Sequence, residues 1–320
     1  MKFKIGFDNR DKKKIFNYWD EIFKTNKWSE GKFTKLFEDK YSIYNNIQSL
    51  SFSSWTGAAE AIFSYFKLNG KTILCPSNTF QATPMLSSLM GAKVKYVDCN
   101  KNDLCLSFED LKKKIKIHKP AAVWVVHIGG HISFEIEKIA KYCKKKKILL
   151  FEDCAHSHGA SFKLKKGGSW GDAAVYSFYA TKTISTGEGG LLVSKNKNLI
   201  EHAKSYRNYG KPFMKFSGKN YRMSEFNAAI GCAQIDRLDE IVNWKNEYVD
   251  KIKKNYSNIL KLPDKMVSGY YKFIVFDKIN NSTGKVYDIG CHKIFKQKVI
   301  LKNTDWVNKN HWCVPVYYKG

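Results

Sequence analysis

Apolar positions along this chain alternate between helical spacing and short unbroken runs. TGAAEAIFSYFKLNG (56–70) places its apolar side chains on one helical face and ends in Asn-Gly, a stop signal. KTILCP (71–76) is a short apolar strand closed by Pro76, TFQATPMLSSLMG (79–91) returns to helical spacing, and AKVKYVD (92–98) follows. AAVWVVH (121–127) and KILLFEDC (147–154) are continuous apolar runs of strand length, separated by the helical stretch SFEIEKIAKYCKKKK (133–147). Strands buried on both faces belong to parallel sheets with helices packed on each side, so the pattern predicts an α/β architecture. Ligands gather beyond the carboxyl ends of such strands, where His127, Asp153 and the loop carrying Lys182 are expected.

A long helical pattern over 223–256 precedes a change of character, with short strand-like pieces such as YYKFIVFD and HWCVPVYY broken by KINNSTGK. We therefore expect a large domain over 1–245, with an N-terminal helical segment, and a small α+β domain over 246–320. At 320 residues and 43% hydrophobic content the chain can close a full-sized core.

Charge and cysteines change this picture little. The formal net charge of +26 could signal nucleic acid or an anionic surface. The basic residues are overwhelmingly Lys and spread along the chain, however, and the runs LKKKIKIHK (111–119) and CKKKKI (143–148) read as solvated helix ends before buried strands. Neither a nucleic-acid nor a membrane partner is expected. No apolar run suggests export, so the expected location is cytoplasmic. The eight scattered cysteines show no zinc spacing and read as reduced, buried thiols, with no structural metal.

The chemistry concentrates in SFYATKTISTGEGG (177–190), which sets Lys182 among small hydroxylated residues. A lysine used as a carbonyl nucleophile needs a nearby electron sink. In a large α/β enzyme the commonest is pyridoxal phosphate, whose ring nitrogen needs a carboxylate partner. Asp153 ends an apolar strand in LLFEDCAHSHGA and could serve; spacing alone leaves a turn-capping role equally open. Lys182 taken alone reads more readily as a solvated lysine, as most lysines are.

EDCAHSHGA (152–160), GD (171–172) and YSFYATKTISTGEGG (176–190) together resemble the DegT/DnrJ/EryC1/StrS sugar aminotransferase family, whose members look like EDAAQAHGA and FSFYPTKNLTTGEGG. GKNYRMSEFNAAIGCAQIDRLDE (218–240), PSNTFQAT (76–83) and MGAKVKYVD (90–98) extend the resemblance over roughly residues 30–245. It implies a fold type I, pyridoxal 5'-phosphate-dependent transferase. In that reading Lys182 forms the imine with the cofactor aldehyde and then moves the proton, and Asp153 faces the pyridine nitrogen.

By the same resemblance Phe80 stacks on the cofactor ring, His156 meets the ring hydroxyl or the sugar, and Ser177 binds the phosphate together with Thr56, Gly57 and Ala58 at a helix N-terminus. The family usually reads Ser-Gly-Thr-Ala-Ala there, whereas Thr56 and Gly57 stand in exchanged order. Asn220 matches an asparagine that reaches the neighbouring subunit's cofactor phosphate, which implies a homodimer. Thr181 and His292 are candidates for substrate contact, His158 reads as packed or capping, and Gly187, Glu188, Gly189 and Gly190 shape the turn after the lysine. The segment before His292 is short for the family and nothing follows Gly320, so the small domain is either abbreviated or truncated.

The resemblance implies amino transfer from glutamate to a nucleotide-linked keto-sugar, with pyridoxamine 5'-phosphate formed in the half-reaction. Relatives that dehydrate the sugar look as if they carry His at the lysine position, so Lys182 favours amino transfer over a dehydratase. A catalytically eroded homologue and, more distantly, a DNA-binding regulator are the alternatives.

Overall fold

The computed structural model describes residues 6–212, 214 and 216–319. Helices α1 (Asn9–Thr25) and α2 (Lys32–Asn45) precede β1 (Ser49–Phe52), α3 (Trp55–Phe66) and β2 (Thr72–Pro76). Then come α4 (Ala82–Leu89), β3 (Lys93–Val97), α5 (Phe108–His118), β4 (Ala122–Val126), α6 (Ile136–Lys146) and β5 (Leu149–Asp153). Two short strands, β6 (Ser161–Phe162) and β7 (Lys165–Lys166), lead to β8 (Ala173–Ser177), β9 (Gly190–Val193) and α7 (Lys197–Tyr206).

These elements build a seven-stranded sheet in the order β1-β9-β8-β5-β4-β2-β3. The pairs from β3 through β8 are parallel, and β9 and β1 close one edge antiparallel. Parallel neighbours require crossovers, and α4, α5 and α6 supply them. Every residue of β4 is buried, as its AVWVV run demands, and Trp124 packs against Trp55 of α3 with ring centroids 5.7 Å apart. The lysine runs fall where helices α5 and α6 end, and their apolar faces pack beneath the sheet.

The predicted long helix over 223–256 is interrupted. Helix α8 (Glu225–Ile235) stops and α9 (Leu238–Ile252) starts afresh. The side chains at the break explain it: Asp236 takes ion pairs from Lys14 and Lys40, and Arg237 is drawn to Asp11 and Glu240. Tethering both residues to the first two helices and to α9 bends the path there. The position between residues 245 and 246 lies within α9.

Beyond α9 the elements are short: β10 (Met266–Val267), β11 (Phe273–Val275), α10 (Cys291–Ile294), α11 (Lys302–Asn310) and β12 (Trp312–Val314). YYKFIVFD and HWCVPVYY meet here, because β11 and β12 pair antiparallel from Phe273 opposite Val314. Strand β10 instead pairs with β6. All eight cysteines are buried and free. Among the described residues no helix is long and apolar enough to cross a membrane.

Candidate active site

Beyond the carboxyl ends of the parallel strands lies a cavity of about 730 Å³ whose wall includes Asp153, Ser177 and Lys182. Asp153 is the last residue of β5 and is 5% exposed. Three donors converge on its carboxylate: Trp55 Nε1 at 3.2 Å and the Ala155 amide at 3.0 Å on Oδ1, and Thr83 Oγ1 at 2.8 Å on Oδ2. Burial pushes its pKa up, while these donors and the Lys182 charge resist the shift.

Its neighbour Glu152 is fully buried and faces away. It accepts from His127 Nε2 at 3.0 Å and from the amides of Gly168, Trp170 and Gly171. His127 Nδ1 accepts from the Ser133 amide, so its proton sits on Nε2. His127 follows directly on the end of β4, as expected, but it is not part of the cavity wall, because its ring is occupied in tying the strands to the 168–171 turn. His127, Glu152 and Cys154 lie within metal-ligating reach of one another, but the Glu152 oxygens are already taken by four donors.

The hydroxylated residues around Lys182 fold the loop that carries it. The Thr186 amide donates to Phe178 O at 3.0 Å, Ser185 Oγ reaches the same carbonyl at 3.1 Å, and the Gly187 amide donates to Ser185 Oγ at 3.0 Å. These bonds close the loop across its base and leave the Lys182 amine 5.0 Å from the centre of the Tyr271 ring. Burial lowers its pKa to about 8, with Asp153 opposing the shift and Lys272 adding to it. Two groups destabilised in their charged forms thus share one cavity, a pattern typical of functional sites.

His156 stacks on Tyr271 at 4.2 Å between centroids and lies nearly parallel to Tyr287 at 6.0 Å. Burial, together with the charges of Lys182 and Lys272, holds its pKa well below the ordinary value, so the ring is neutral. Its Nδ1 is buried with no hydrogen-bond partner among the described residues. Phe80, 59% exposed, and Thr181, whose hydroxyl lies 3.1 Å from the Tyr271 hydroxyl, also line the cavity.

The start of α3 contributes Ser54, Trp55 and Thr56 to the wall. Ser54 caps the helix by accepting from the Gly57 amide at 3.2 Å. Gly57 and Ala58 do not reach the cavity. Ala58 is wholly buried in the core, and a Cβ on Gly57 would lie 2.5 Å from the Tyr221 ring. The expectation that these two line the phosphate site is corrected accordingly: Gly57 is required for close packing against Tyr221.

His292 also lies off the cavity wall. Its Nδ1 is 2.6 Å from Ser77 Oγ, its amide donates to the same oxygen, and Asp305 is 3.6 Å from Nε2. Those bonds hold α10 against the end of β2, which corrects its assignment to substrate contact. His158 is packed, taking the Tyr41 hydroxyl on Nδ1 and donating from Nε2 to Ser177 O. Asn220 is exposed and likewise outside the cavity of this single chain.

Thr83, which holds the Asp153 carboxylate from behind, and the wall residues Tyr271, Lys272 and Tyr287 are among those that escape the sequence reading. Thr83 lies one helical turn beyond Phe80 and could have been found from that spacing. The other three come from the C-terminal segment, which has no periodicity to place them.

The model of the DegT/DnrJ/EryC1/StrS aminotransferase family matches residues 9–276. A GDP-perosamine synthase from Escherichia coli O157:H7 is 31% identical over 241 residues, covering 73% of this chain and 66% of that protein, just under two thirds of its length. A UDP-4-amino-4,6-dideoxy-N-acetyl-beta-L-altrosamine transaminase from Campylobacter jejuni is 32% identical over 291 residues, covering 86% of this chain and 77% of the relative. The solved structure of an aminotransferase TlmJ from Streptoalloteichus hindustanus superposes with a TM-score of 0.90 at 21% identity, over 100% of this chain and 94% of that one, and so shares the fold. Fold, strand-end site and family match agree: the chain belongs to the DegT/DnrJ/EryC1/StrS aminotransferase family.

Proposed function

We propose that this protein transfers an amino group from glutamate to a nucleotide-linked keto-sugar, using pyridoxal 5'-phosphate and its pyridoxamine form as the carrier. The observation that carries this reading is the presence of Asp153 and Lys182 in one cavity, each under the other's electrostatic influence. The names of the E. coli and C. jejuni relatives support a nucleotide-sugar substrate.

The residues fit the cofactor. Asp153 offers a buried carboxylate for a ring nitrogen, and the unpartnered His156 Nδ1 offers a contact for a ring hydroxyl. Ser177 with the opening turn of α3 suits a phosphate, as a helix N-terminus does in general. When bound, pyridoxal phosphate supplies an electron sink that stabilises negative charge at the substrate carbon.

The chain's own groups do the rest. With a pKa of about 8, roughly a quarter of Lys182 side chains are neutral at about pH 7.5, against about one in a thousand for an ordinary lysine. The neutral amine is both the nucleophile that takes the cofactor and the base that moves a proton at the reacting carbon. Asp153 would hold a ring nitrogen in its protonated form, and Phe80 and Tyr287 narrow the cavity around it. The retention of Lys182 supports amino transfer over dehydration. The exposed Asn220 supports a homodimer in which that side chain serves a partner's site, and the eight free thiols support a reducing, cytoplasmic setting.

The test starts from purified protein loaded with pyridoxal phosphate. Visible absorbance, borohydride fixation of the cofactor at Lys182, loss of colour with glutamate and its return with a nucleotide keto-sugar are expected. A colourless protein that cannot be reconstituted, or a cofactor fixed at another lysine, would end the proposal. Colour without response to glutamate would identify the eroded homologue.

A further inference from the structure

A second cavity, of about 230 Å³, shares Thr181, Lys182, Tyr271 and Lys272 with the first and is otherwise walled by different residues, among them Thr183 and Lys245. Among the described residues its wall carries three lysines and no carboxylate. Lys245 projects from α9 and is 6% exposed; its ammonium donates to Tyr270 O at 3.1 Å and makes no salt bridge among the described residues. An ammonium has three donors, so this one retains capacity for more. Thr183 is 5% exposed, and its Oγ1 has no hydrogen-bond partner among the described residues.

A buried ammonium without a counter-charge is costly, and an unpaired buried hydroxyl adds to that cost. Burial lowers the Lys245 pKa to about 8, and the nearby Lys272 charge pushes the same way. One negative ligand in this cavity would supply the missing counter-charge to Lys245 and Lys272, and rotation of the Thr183 side chain would bring its buried hydroxyl to the same ion. The volume suits a small ion with a few waters at about 30 Å³ each and is too small for a nucleotide.

We propose that this second cavity binds a small oxyanion, of phosphate or carboxylate type, through Lys245, Lys272 and Thr183. The site is separate from the cofactor phosphate contacts of Ser177 and α3, and it does not depend on the aminotransferase reading. Lys182 stands in the wall of both cavities, so an ion held here would sit next to the side chain that the reaction uses.

The test is calorimetric titration of protein saturated with pyridoxal phosphate, using inorganic phosphate in one arm and acetate in another, with potassium chloride as the ionic-strength control. We expect one saturable site per chain for at least one oxyanion and none for chloride; the arm that responds identifies a phosphate or a carboxylate source. Lys245→Met should weaken binding by about tenfold or more, the loss of a charged hydrogen bond, and Thr183→Val by several-fold. Ser177→Ala should leave this binding in place. Should Lys245→Met fail to fold, Thr183→Val decides, since it removes only a hydroxyl. The inference is overturned by the absence of saturable binding in both arms, by unchanged affinity in the folded variants, or by binding lost only in Ser177→Ala. Cofactor loading is read separately from absorbance, so failure here is distinguishable from failure of the proposed activity.

Discussion

Thr83→Val removes one donor from Asp153 while nearly conserving side-chain volume. Thr83 is 1% exposed, and its hydroxyl lies 2.8 Å from Asp153 Oδ2, so no water can readily replace it. The effect must depend on pH, because burial raises the Asp153 pKa above its ordinary value of 3.8. A carboxyl raised in the fold contributes stability that is fully present below the ordinary value and is lost as pH rises through the folded one. Thr83 limits that loss by solvating the anion, and the valine variant raises the folded pKa further.

In acid, where Asp153 is protonated, the substitution should cost about 1 kcal/mol, a neutral hydrogen bond. Above the folded pKa it should cost about 1.5–3 kcal/mol, a hydrogen bond to a charge. For a chain of 320 residues, with an unfolding entropy of about 2 cal/mol/K per residue, the larger cost lowers Tm by about 2–4 °C. Thermal unfolding of cofactor-free wild type and variant at two pH values, one below and one above the Asp153 transition, measures both limits. Equal Tm losses at the two pH values would falsify the view that Thr83 acts through the Asp153 charge.

Covalent capture of pyridoxal phosphate by the cofactor-free protein should accelerate as pH rises and level off above about 8, where the Lys182 amine is free; a midpoint near the ordinary lysine value would contradict the burial argument. Glu152→Gln should lower the unfolding free energy by roughly 3 kcal/mol or more in denaturant titration, because one carboxylate serves four donors, yet leave the cofactor spectrum of the folded protein unchanged. A spectrum lost with stability intact would move Glu152 into the active site. Gly190→Ala should displace the start of α3, since its Cβ would lie 2.2 Å from Ser54 O; cofactor affinity should fall more than about tenfold, and unchanged affinity in a direct titration would rule out the close approach.

The parts legible in the sequence are those whose physics is local. AVWVV and LLFED read as doubly buried strands because nothing in them could face water, and the serines and threonines after Lys182 are the ones that close its loop. The 236–237 break was hidden, because helical periodicity runs through it and only the distant Lys14, Lys40 and Asp11 reveal the tethers. His292 likewise depends on Ser77, more than two hundred residues earlier. Tyr271 and Tyr287 flank His156 through packing between remote segments, and strands as short as β11 carry no pattern that could announce it.

The adjacent acids at the end of β5 constrain how this gene can change. Side chains on a strand alternate between faces, so Asp153 enters the strand-end chamber only because Glu152 is turned toward the amides of the 168–171 turn. Gaining or losing a single codon between Leu149 and Asp153 would reverse both directions at once, stranding a charge in the scaffold and emptying the chamber of its anion. Evolution along this lineage can reshape the loops around β5, but it must leave the length of that strand alone.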